Sequence, residues 1–183
     1  MLQWEELEQS CQTCQKCQLS QTRHKLVFGA GNRQARLMFI GEAPGEQEDL
    51  QGLPFVGQSG QLFDKILQAV SLTRNEVYVA NILKCRPPNN RDPLTSEKRE
   101  CLVYLRNQVW LIKPKIIVCL GRVAAQTIID PKFKITRQRG SWIERKGYYL
   151  TAVYHPSALL RDPSKKRATW QDFKEIKRRY DLL

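Results

Sequence analysis

Short runs of apolar residues alternate along the chain with longer stretches in which apolar residues recur every three to four positions. Four of the runs are continuous and rich in β-branched or aromatic residues, which is typical of strands buried on both faces. These predicted strands are Leu37–Gly41, Val77–Ile82, Ile116–Leu120 and Tyr149–Val153. The helical spacing predicts helices at Gly60–Val70, Thr95–Ile112, Arg122–Ile129 and from Thr169 to about Tyr180. Because strands alternate with helices, we expect an α/β fold with a parallel sheet covered on both faces.

Polar or glycine-containing segments follow each predicted strand. The segment GEAPG (41–45) begins at the end of the first strand, Asn81 lies near the end of the second, and Gly121 and His155 follow the third and the fourth. The carboxyl ends of parallel strands lie at one edge of a sheet, where ligand sites collect. The sequence therefore predicts a single cleft that gathers these four strand ends.

Length and charge narrow the class of protein. The 183 residues fit one domain, residues 1–183, and the formal net charge is +12. So basic a chain favours a polyanionic partner, nucleic acid first and a membrane surface second. No apolar run approaches the roughly 20 residues of a membrane span, and the acidic N-terminus does not resemble a secretory signal. We therefore expect a cytoplasmic protein.

Acidic residues are concentrated directly after the first predicted strand. Glu42, Glu46, Glu48 and Asp49 occupy this loop, although the chain as a whole is basic. Such a loop would repel phosphate, and no Lys-Ser or Lys-Thr pair follows its glycines, so it is not a P-loop. A nucleotide-binding α/β enzyme is accordingly a weak alternative.

Six cysteines in a reducing compartment favour metal ligation over disulfides. Cys14 and Cys17 form a C-x2-C pair, whereas Cys85 and Cys101 are separated by 15 residues. A zinc ribbon usually has two close pairs, so the spacing leans towards an iron–sulfur cluster. Cys11 also forms a C-x2-C pair with Cys14, which leaves five candidates for four places. The sixth, Cys119, lies in the run IIVCLG and is expected to be a core residue.

Six motifs in order make the chain recognisable as a family member. They are C-x2-C-x-L (Cys14, Cys17, Leu19), VFGAGN (27–32), GEAPGEQED (41–49), GLPFVGQSG (52–60), NILKCRPPNNRDP (81–93) and HPSALLR (155–161). Together they resemble the family-4 uracil-DNA glycosylases, the iron–sulfur type of bacteria and archaea. The resemblance runs from about Cys14 to the C-terminal helix.

The resemblance implies a fold, an activity and a cofactor. The family fold has three layers, α/β/α, around a mostly parallel four-stranded sheet. The implied reaction is hydrolysis of the N-glycosidic bond of a flipped-out deoxyuridine in DNA, by a monomer, in base excision repair. A structural [4Fe-4S] cluster held by Cys14, Cys17, Cys85 and Cys101 would tie the N-terminal segment, about residues 1–25, to the loop after the second strand. Cys11 and Cys119 would not be ligands.

The resemblance also implies how the base is recognised. Phe55 would stack on the uracil ring. The Asn81 amide would accept a hydrogen bond from N3–H of uracil and donate one to O4, whereas cytosine presents the reverse pattern. His155 would donate to O2, where negative charge develops as the bond breaks.

The acidic loop would supply the water. On this interpretation the Glu42 carboxylate orients a water molecule beside the anomeric carbon and stabilises oxocarbenium character. The backbone of Gly41 and Ala43 would help to position that water. Glu48 would form a wall that excludes the methyl group of thymine.

Basic and apolar residues near the cleft are candidates for DNA contacts. Arg86, Arg91 and Arg161 would bind backbone phosphates, as would the basic run at 165–167. Leu160, together with its neighbours in HPSALLR, would wedge into the helix where the base was.

One departure from the family pattern, one related branch and one alternative bear on this interpretation. Relatives often have GEGPG where this chain has Ala43, which affects the width of the pocket. A related branch is trapped covalently on DNA through a histidine in an inserted basic loop, but residues 86–100 contain no histidine. The main alternative is a noncatalytic iron–sulfur or zinc protein that binds nucleic acid, which would not need Phe55, Asn81 and His155 together.

Overall fold

A computed structural model describes residues 3–183. Six strands form one sheet in the order β1-β3-β2-β4-β6-β5. The strands are β1 Ala30–Gly31, β2 Leu37–Gly41, β3 Val77–Asn81, β4 Ile116–Leu120, β5 Ile143–Arg145 and β6 Tyr148–Val153. The α-helices are α1 Trp4–Gln12, α2 Leu19–Thr22, α3 Glu46–Gln51, α4 Gln58–Ala69, α5 Thr95–Ile112, α6 Arg122–Ile128, α7 Ile135–Gln138, α8 Pro156–Arg161 and α9 Lys166–Asp181. Two short 3₁₀ turns cover Pro88–Asn90 and Pro163–Lys165.

The four predicted strands are confirmed as the parallel centre of the sheet. Strand β2 pairs in parallel with β3 and β4, and β4 pairs in parallel with β6. The prediction of four strands is corrected to six, because β1 and β5 are added antiparallel at the two edges. These edge strands have two and three residues, too few to produce a recognisable hydrophobic alternation.

Alternate residues of the central strands face two separate apolar layers. Leu37 and Phe39 pack with Phe63 of α4 and Phe173 of α9 on one face. The intervening strand residues Met38 and Ile40 belong to the layer on the other face, which includes residues of α1, α5 and α6. All five residues of β2, β3 and β4 are buried, as expected for strands covered on both sides. The predicted three-layer α/β/α arrangement is therefore present.

The N-terminal segment packs against the helical layer of α5. The indole of Trp4 makes edge contacts with the rings of Phe28 and Tyr78, at 5.5 and 5.6 Å between centroids. The hydroxyl of Tyr104 on α5 donates to the carbonyl oxygen of Ser10 at 3.3 Å. These contacts bring the cysteines that follow α1 close to α5.

One aromatic side chain of the last helix, α9, is partly exposed. Phe173 and Ile176 of α9 are buried, but Trp170 is 39% exposed. The indole of Trp170 lies 5.7 Å from the ammonium of Lys174, which covers part of the ring. Among the residues described, no helix combines the length and apolarity required to span a bilayer.

Candidate active site

A cleft of about 510 Å³ opens at the carboxyl ends of the four central strands. Each strand end contributes to its lining, as the sequence predicted, through Glu42, Asn81, Gly121 and His155. Phe55 and the first turn of α8 close one side, and Arg161 and Lys165 lie along the rim. The cleft thus combines a buried apolar wall with a charged mouth.

Phe55, which lines the cleft, is held in a rare backbone conformation. Its φ of +56° lies in the left-handed region, which a bulky residue adopts only under constraint from its surroundings. The ring is buried, and its centroid lies 5.6 Å from that of the His155 imidazole. The guanidinium of Arg74 donates to the Phe55 carbonyl oxygen at 2.8 Å. The aromatic ring is therefore fixed both by its packing and by its own backbone.

The carboxylate of Glu48 fastens the loop of Phe55 to the acidic loop. Its Oε1 accepts from the N–H groups of Val56 and Gly57, both at 2.8 Å. Its Oε2 accepts from the N–H of Gly45 at 3.1 Å, across the first turn of α3. Glu48 is buried and lines the cleft, but both oxygens are committed to backbone donors.

Asn81 lines the same cleft and has a buried, unpaired acceptor in its side chain. Its side chain is 2% exposed, and its Oδ1 has no hydrogen-bond partner among residues 3–183. A Cβ on Gly41 would lie 2.3 Å from that Oδ1 and 2.8 Å from Cζ of Phe55, so only glycine fits between them. Buried polar atoms are almost always paired, and an unpaired one in a cleft indicates a place for a ligand.

The imidazole of His155 has a defined hydrogen-bonding state. Its Nδ1 accepts from the backbone N–H of Ser157 at 3.1 Å, at the start of α8, and lies 2.8 Å from the Ser157 hydroxyl. An Nδ1 that accepts from an N–H carries no proton, so the neutral ring has its proton on Nε2. Burial, followed by the charge of Arg161, lowers the pKa of His155 from 6.5 to about 4. The ring is therefore a neutral donor through Nε2 at physiological pH.

Glu42 is half-buried at the end of β2. Burial raises the pKa of its carboxyl, and the negative charge of Asp92 adds to this effect. The positive charges of Arg122, Lys98 and Arg161 act in the opposite direction. The carbonyl oxygen of Glu42 accepts from the N–H of Leu83 at 3.0 Å, which fixes the backbone that carries the side chain.

The predicted DNA-binding side chains occupy different environments. Arg161 is exposed at the cleft, and Leu160 beside it is 46% exposed. Arg91 also lines the cleft, but its guanidinium forms a two-point contact with Glu97 at 2.6 and 2.9 Å. Arg86 donates to Oδ1 of Asn90 at 2.9 Å, within the Pro-rich loop. The last two side chains thus also stiffen that loop.

A second, smaller cavity gathers the four predicted cysteine ligands. Cys14, Cys17, Cys85 and Cys101 all line it, and Cys11 does so as well. Arg23 donates to Sγ of Cys85 at 3.2 Å, and the backbone N–H of Lys84 donates to Sγ of Cys101 at 3.2 Å. Cys119 is buried in β4 and does not line this cavity, in agreement with the sequence prediction.

The electrostatics of this cavity suit a thiolate ligand set. Burial raises the pKa of Cys101 to about 12 and also raises that of Cys85, so the free thiols are protonated. Two cations act against this effect of burial on the pKa: Arg23 through its hydrogen bond and charge at Cys85, and Lys84 through its charge and backbone N–H at Cys101. The same interactions would stabilise metal-bound thiolates. Within residues 3–183, no three side chains of His, Cys, Asp or Glu approach closely enough to share one metal ion.

Three residues of this region have roles that the sequence did not predict. Arg74 holds Phe55 from a loop 19 residues away, and no local motif indicates that contact. Arg122 reaches the cleft directly after Gly121, the residue that follows β4, a position that the strand-end pattern does indicate. Lys84 is fully buried between the two cavities, although a lysine next to a cysteine motif suggests a solvated charge.

Comparison with known proteins agrees with this geometry. The family model described as the uracil DNA glycosylase superfamily matches residues 28–174. A type-4 uracil-DNA glycosylase of Archaeoglobus fulgidus is 46% identical over 166 residues, covering 86% of this chain and 83% of that protein. Type-4 uracil-DNA glycosylases of Sulfurisphaera tokodaii and Thermotoga maritima are 41% and 40% identical, each over 87% of this chain and over 76% and 85% of their own lengths. The chain therefore belongs to the uracil-DNA glycosylase superfamily, as its motifs predicted.

Proposed function

We propose that this protein is a DNA repair enzyme that hydrolyses the N-glycosidic bond of a flipped-out deoxyuridine, releasing uracil and leaving an abasic site. Residues 1–183 would act as one glycosylase domain. The cleft geometry and the family membership both support this activity. A noncatalytic nucleic-acid-binding protein would have no need of a cleft at the strand ends that is lined by a residue with a buried, unpaired amide oxygen.

The observation that carries the proposal is the orphaned Oδ1 of Asn81. A buried acceptor without a partner is costly unless a ligand supplies the donor. The N3–H of uracil is such a donor, and the amide nitrogen of the same side chain would donate to O4. Cytosine would present an acceptor to Oδ1 and a donor to the amide nitrogen, leaving both mispaired.

Phe55 and His155 complete the recognition of the base. The Phe55 ring would stack on uracil, a contact worth roughly 1–3 kcal/mol. The Nε2–H of neutral His155 would donate to O2 as negative charge develops there in the transition state. Because Nδ1 is anchored on Ser157, the ring is already oriented before the substrate enters.

Glu42 would provide the group that orients water. Its carboxylate lies at the cleft, where an ionised form can hold a water beside the anomeric carbon and stabilise positive charge on the sugar. The carbonyl of Gly41 already accepts from the N–H of Ile82 at 3.0 Å. In our proposal the backbone of Gly41 and Ala43 limits where that water can sit.

Glu48 would exclude thymine through the wall that it builds. Its oxygens are bound to the N–H groups of Gly45, Val56 and Gly57, which holds two loops together beside Phe55. Because these hydrogen bonds hold the two loops in place, the wall would not move to accommodate the methyl group of thymine.

The mouth of the cleft would hold the DNA backbone. Arg161, Arg122 and Lys165 line it and are candidates for phosphate contacts. Arg86 and Arg91 would contribute from the Pro-rich loop that they stabilise. Exposed Leu160 would enter the space left by the extruded nucleotide.

Cys14, Cys17, Cys85 and Cys101 would hold a [4Fe-4S] cluster. One zinc ion would require all its sulfurs at about 2.3 Å, whereas a four-iron cluster binds each cysteine through a different iron and tolerates wider separation. The cluster would supply a structural link between the N-terminal segment and the loop after β3. The predicted monomeric state and cytoplasmic location stay predictions.

An excision assay tests the proposal. The substrate is a labelled oligonucleotide with one uracil, treated with alkali to cut abasic sites, beside thymine and cytosine controls. We expect cleavage at uracil alone, and its loss in Asn81→Ala and in His155→Ala. Affinity for undamaged DNA, measured in parallel, should stay unchanged in both variants.

Two outcomes would contradict the proposal. No cleavage by folded protein with an intact cluster would favour the noncatalytic alternative. Equal cleavage at uracil and thymine would contradict the assigned pocket, because the narrow wall beside Phe55 would then have no effect.

A further inference from the structure

Lys84 is a buried cation that lies between the cysteine cavity and the cleft. Its side chain is 1% exposed, although lysine is rarely buried without a carboxylate partner. The ion pairs formed within residues 3–183 do not include Lys84. A position so unfavourable for an ammonium group calls for a specific role.

Two neutral oxygens receive the hydrogen bonds of the Lys84 side chain. Nζ donates to the backbone carbonyl of Asn81 at 2.9 Å and to Oε1 of Gln108 at 2.8 Å. Gln108 is itself fixed, because its Nε2 donates to the carbonyl of Phe28 at 2.9 Å and to the hydroxyl of Tyr78 at 3.2 Å. The ammonium is thus held between a rigid helix, α5, and the residue at the end of β3.

The backbone of Lys84 belongs to the cysteine cavity. Its N–H donates to Sγ of Cys101 at 3.2 Å, and the next residue along the chain is Cys85. Lys84 lines the cavity together with the cysteines. A set of metal-bound thiolates there carries net negative charge, which the nearby ammonium offsets in a medium of low dielectric constant.

The other end of the same short segment belongs to the cleft. The N–H groups of Ile82 and Leu83 donate to the carbonyl oxygens of Gly41 and Glu42, both at 3.0 Å. Asn81 itself carries the unpaired Oδ1. Five consecutive residues, 81–85, therefore connect the cysteine cavity with the base-reading amide.

We propose that Lys84 is a positioning residue that holds the Asn81 backbone in place for base recognition and balances the charge of the thiolate site. Metal loading of the cysteines and selectivity at Asn81 are then coupled through one side chain. This inference rests on the proposed glycosylase function, because it assigns Asn81 the reading of uracil.

The test compares Lys84→Met with Lys16→Met in the metal-loaded protein. Methionine is unbranched like lysine and one atom shorter, so it retains most of the aliphatic packing and removes the charge and donors. Lys16 lines the same cavity but is exposed, with its Nζ 5.3 Å from the centre of the Tyr104 ring. It therefore controls for loss of one positive charge near the cysteines.

We expect Lys84→Met to lower kcat/KM for uracil excision by about tenfold or more, the usual consequence of losing a hydrogen bond from a charged donor. The reduction potential of the cluster should shift to more negative values, since a nearby positive charge favours the reduced form. Affinity for undamaged DNA should change less than about twofold. Lys16→Met should leave kcat/KM unchanged and shift the potential less.

A merely structural role gives a different pattern. General destabilisation would reduce cluster content and active fraction together, without shifting the potential of the cluster that remains. If Lys84→Met does not fold, Gln108→Leu replaces it: this variant keeps the charge but frees the ammonium, so kcat/KM should fall while the potential stays near that of the wild type.

The outcomes separate this inference from the proposed function. If the wild-type protein is active, the inference alone is overturned by either of two results. One is an unchanged kcat/KM in Lys84→Met, and the other is an equal loss of kcat/KM in Lys84→Met and Lys16→Met. If Lys84→Met does not fold, an unchanged kcat/KM in Gln108→Leu also overturns the inference alone. Wild-type protein that binds its cluster but does not excise uracil overturns the proposed function and this inference with it.

Discussion

The guanidinium of Arg74 donates a 2.8 Å hydrogen bond to the carbonyl oxygen of Phe55, the residue whose backbone has a φ of +56°. The same guanidinium bonds Asp64 on α4 at 2.5 Å and lies 5.0 Å from the centre of the Phe63 ring. Arg74 thus joins the strained loop to α4 and is not among the residues that line the cleft. Strain of this kind persists only where the surroundings impose it.

Removal of the Arg74 contact should loosen the stacking ring. We expect Arg74→Met to lower kcat/KM for uracil excision by roughly tenfold and to cost about 1–2 kcal/mol of unfolding free energy. Excision kinetics and urea unfolding measure the two effects. Asp64→Asn is the matched control, because it weakens the ion pair and leaves the bond to Phe55. An Arg74→Met enzyme with wild-type kinetics would show that packing alone holds Phe55.

Glu48 should be more important for loop geometry than for chemistry. Glu48→Ala leaves the N–H groups of Gly45, Val56 and Gly57 without their acceptor, which we expect to cost about 1–3 kcal/mol. The looser wall should also raise excision of thymine relative to uracil. Chemical unfolding and excision from matched uracil and thymine oligonucleotides measure these changes.

Glu48→Gln provides the sharper comparison. Its Oε1 can still accept from Val56 and Gly57, but its amide nitrogen would face the N–H of Gly45. We therefore expect a loss of stability between those of wild type and Glu48→Ala. Unchanged stability in Glu48→Ala would mean that water replaces the carboxylate.

His155 should remain neutral over the physiological range. Its folded-state pKa of about 4 lies below the ordinary value of 6.5, so the unfolded chain binds a proton first as the pH falls. The associated stability is fully present above pH 6.5 and is lost between pH 6.5 and 4, by up to about 3 kcal/mol. Unfolding free energies of wild type and His155→Gln, measured across this range, should differ in slope.

NMR of ¹⁵N-labelled imidazoles observes the same group directly. The chain has two histidines, His24 and His155, so a His24→Asn variant assigns both signals. We expect His155 to show a protonated Nε2 and an unprotonated Nδ1 at pH 7. A His155 signal that titrates near pH 6.5, or the opposite tautomer, would contradict the assigned donor.

Substitution of single cysteines should distinguish those that bind the cluster from those that do not. We expect Cys101→Ser to lose the visible absorbance of the cluster, whereas Cys119→Ala and Cys11→Ser retain it. Cys119 lies in the core of β4, away from the cavity, and Cys11 is outside the ligand set that the family motif implies. Iron content per protein gives an independent measurement. Loss of iron in Cys11→Ser would place Cys11 in the ligand set instead.

The sequence predicted the central sheet well because its strands are buried on both faces. The bounds of β2 and β4 agree to the residue, and those of β3 and β6 differ by one. The edge strands and the short helices α2, α3, α7 and α8 were missed, since two to six residues carry too little periodicity.

The site was predictable to the extent that it follows strand ends and motifs. Asn81 and His155 fall at ends of parallel strands, where topology alone brings them together. The contacts of Arg74 with Phe55, and of Lys84 with Asn81, depend on side-chain directions set by tertiary packing. The spacing of residues along the chain does not predict these side-chain directions. The hydrogen-bond partners of Glu48 could not be predicted either, because they are backbone N–H groups, which have no sequence signature.

Gly41 should tolerate no side chain, because the base-reading groups close around it. A Cβ at this position would lie 2.3 Å from Oδ1 of Asn81 and 2.8 Å from Cζ of Phe55, so Gly41→Ala must displace both. We expect excision of uracil to fall at least about a hundredfold, since misplacement by about 1 Å can cost that much. Gly147→Ala is the control: its φ of +80° strains an alanine, but nothing lies within 4 Å of the added carbon. That variant should lose stability and keep wild-type kcat/KM. An active Gly41→Ala enzyme would show that Asn81 and Phe55 can shift together without loss of recognition, against the rigid pocket described above.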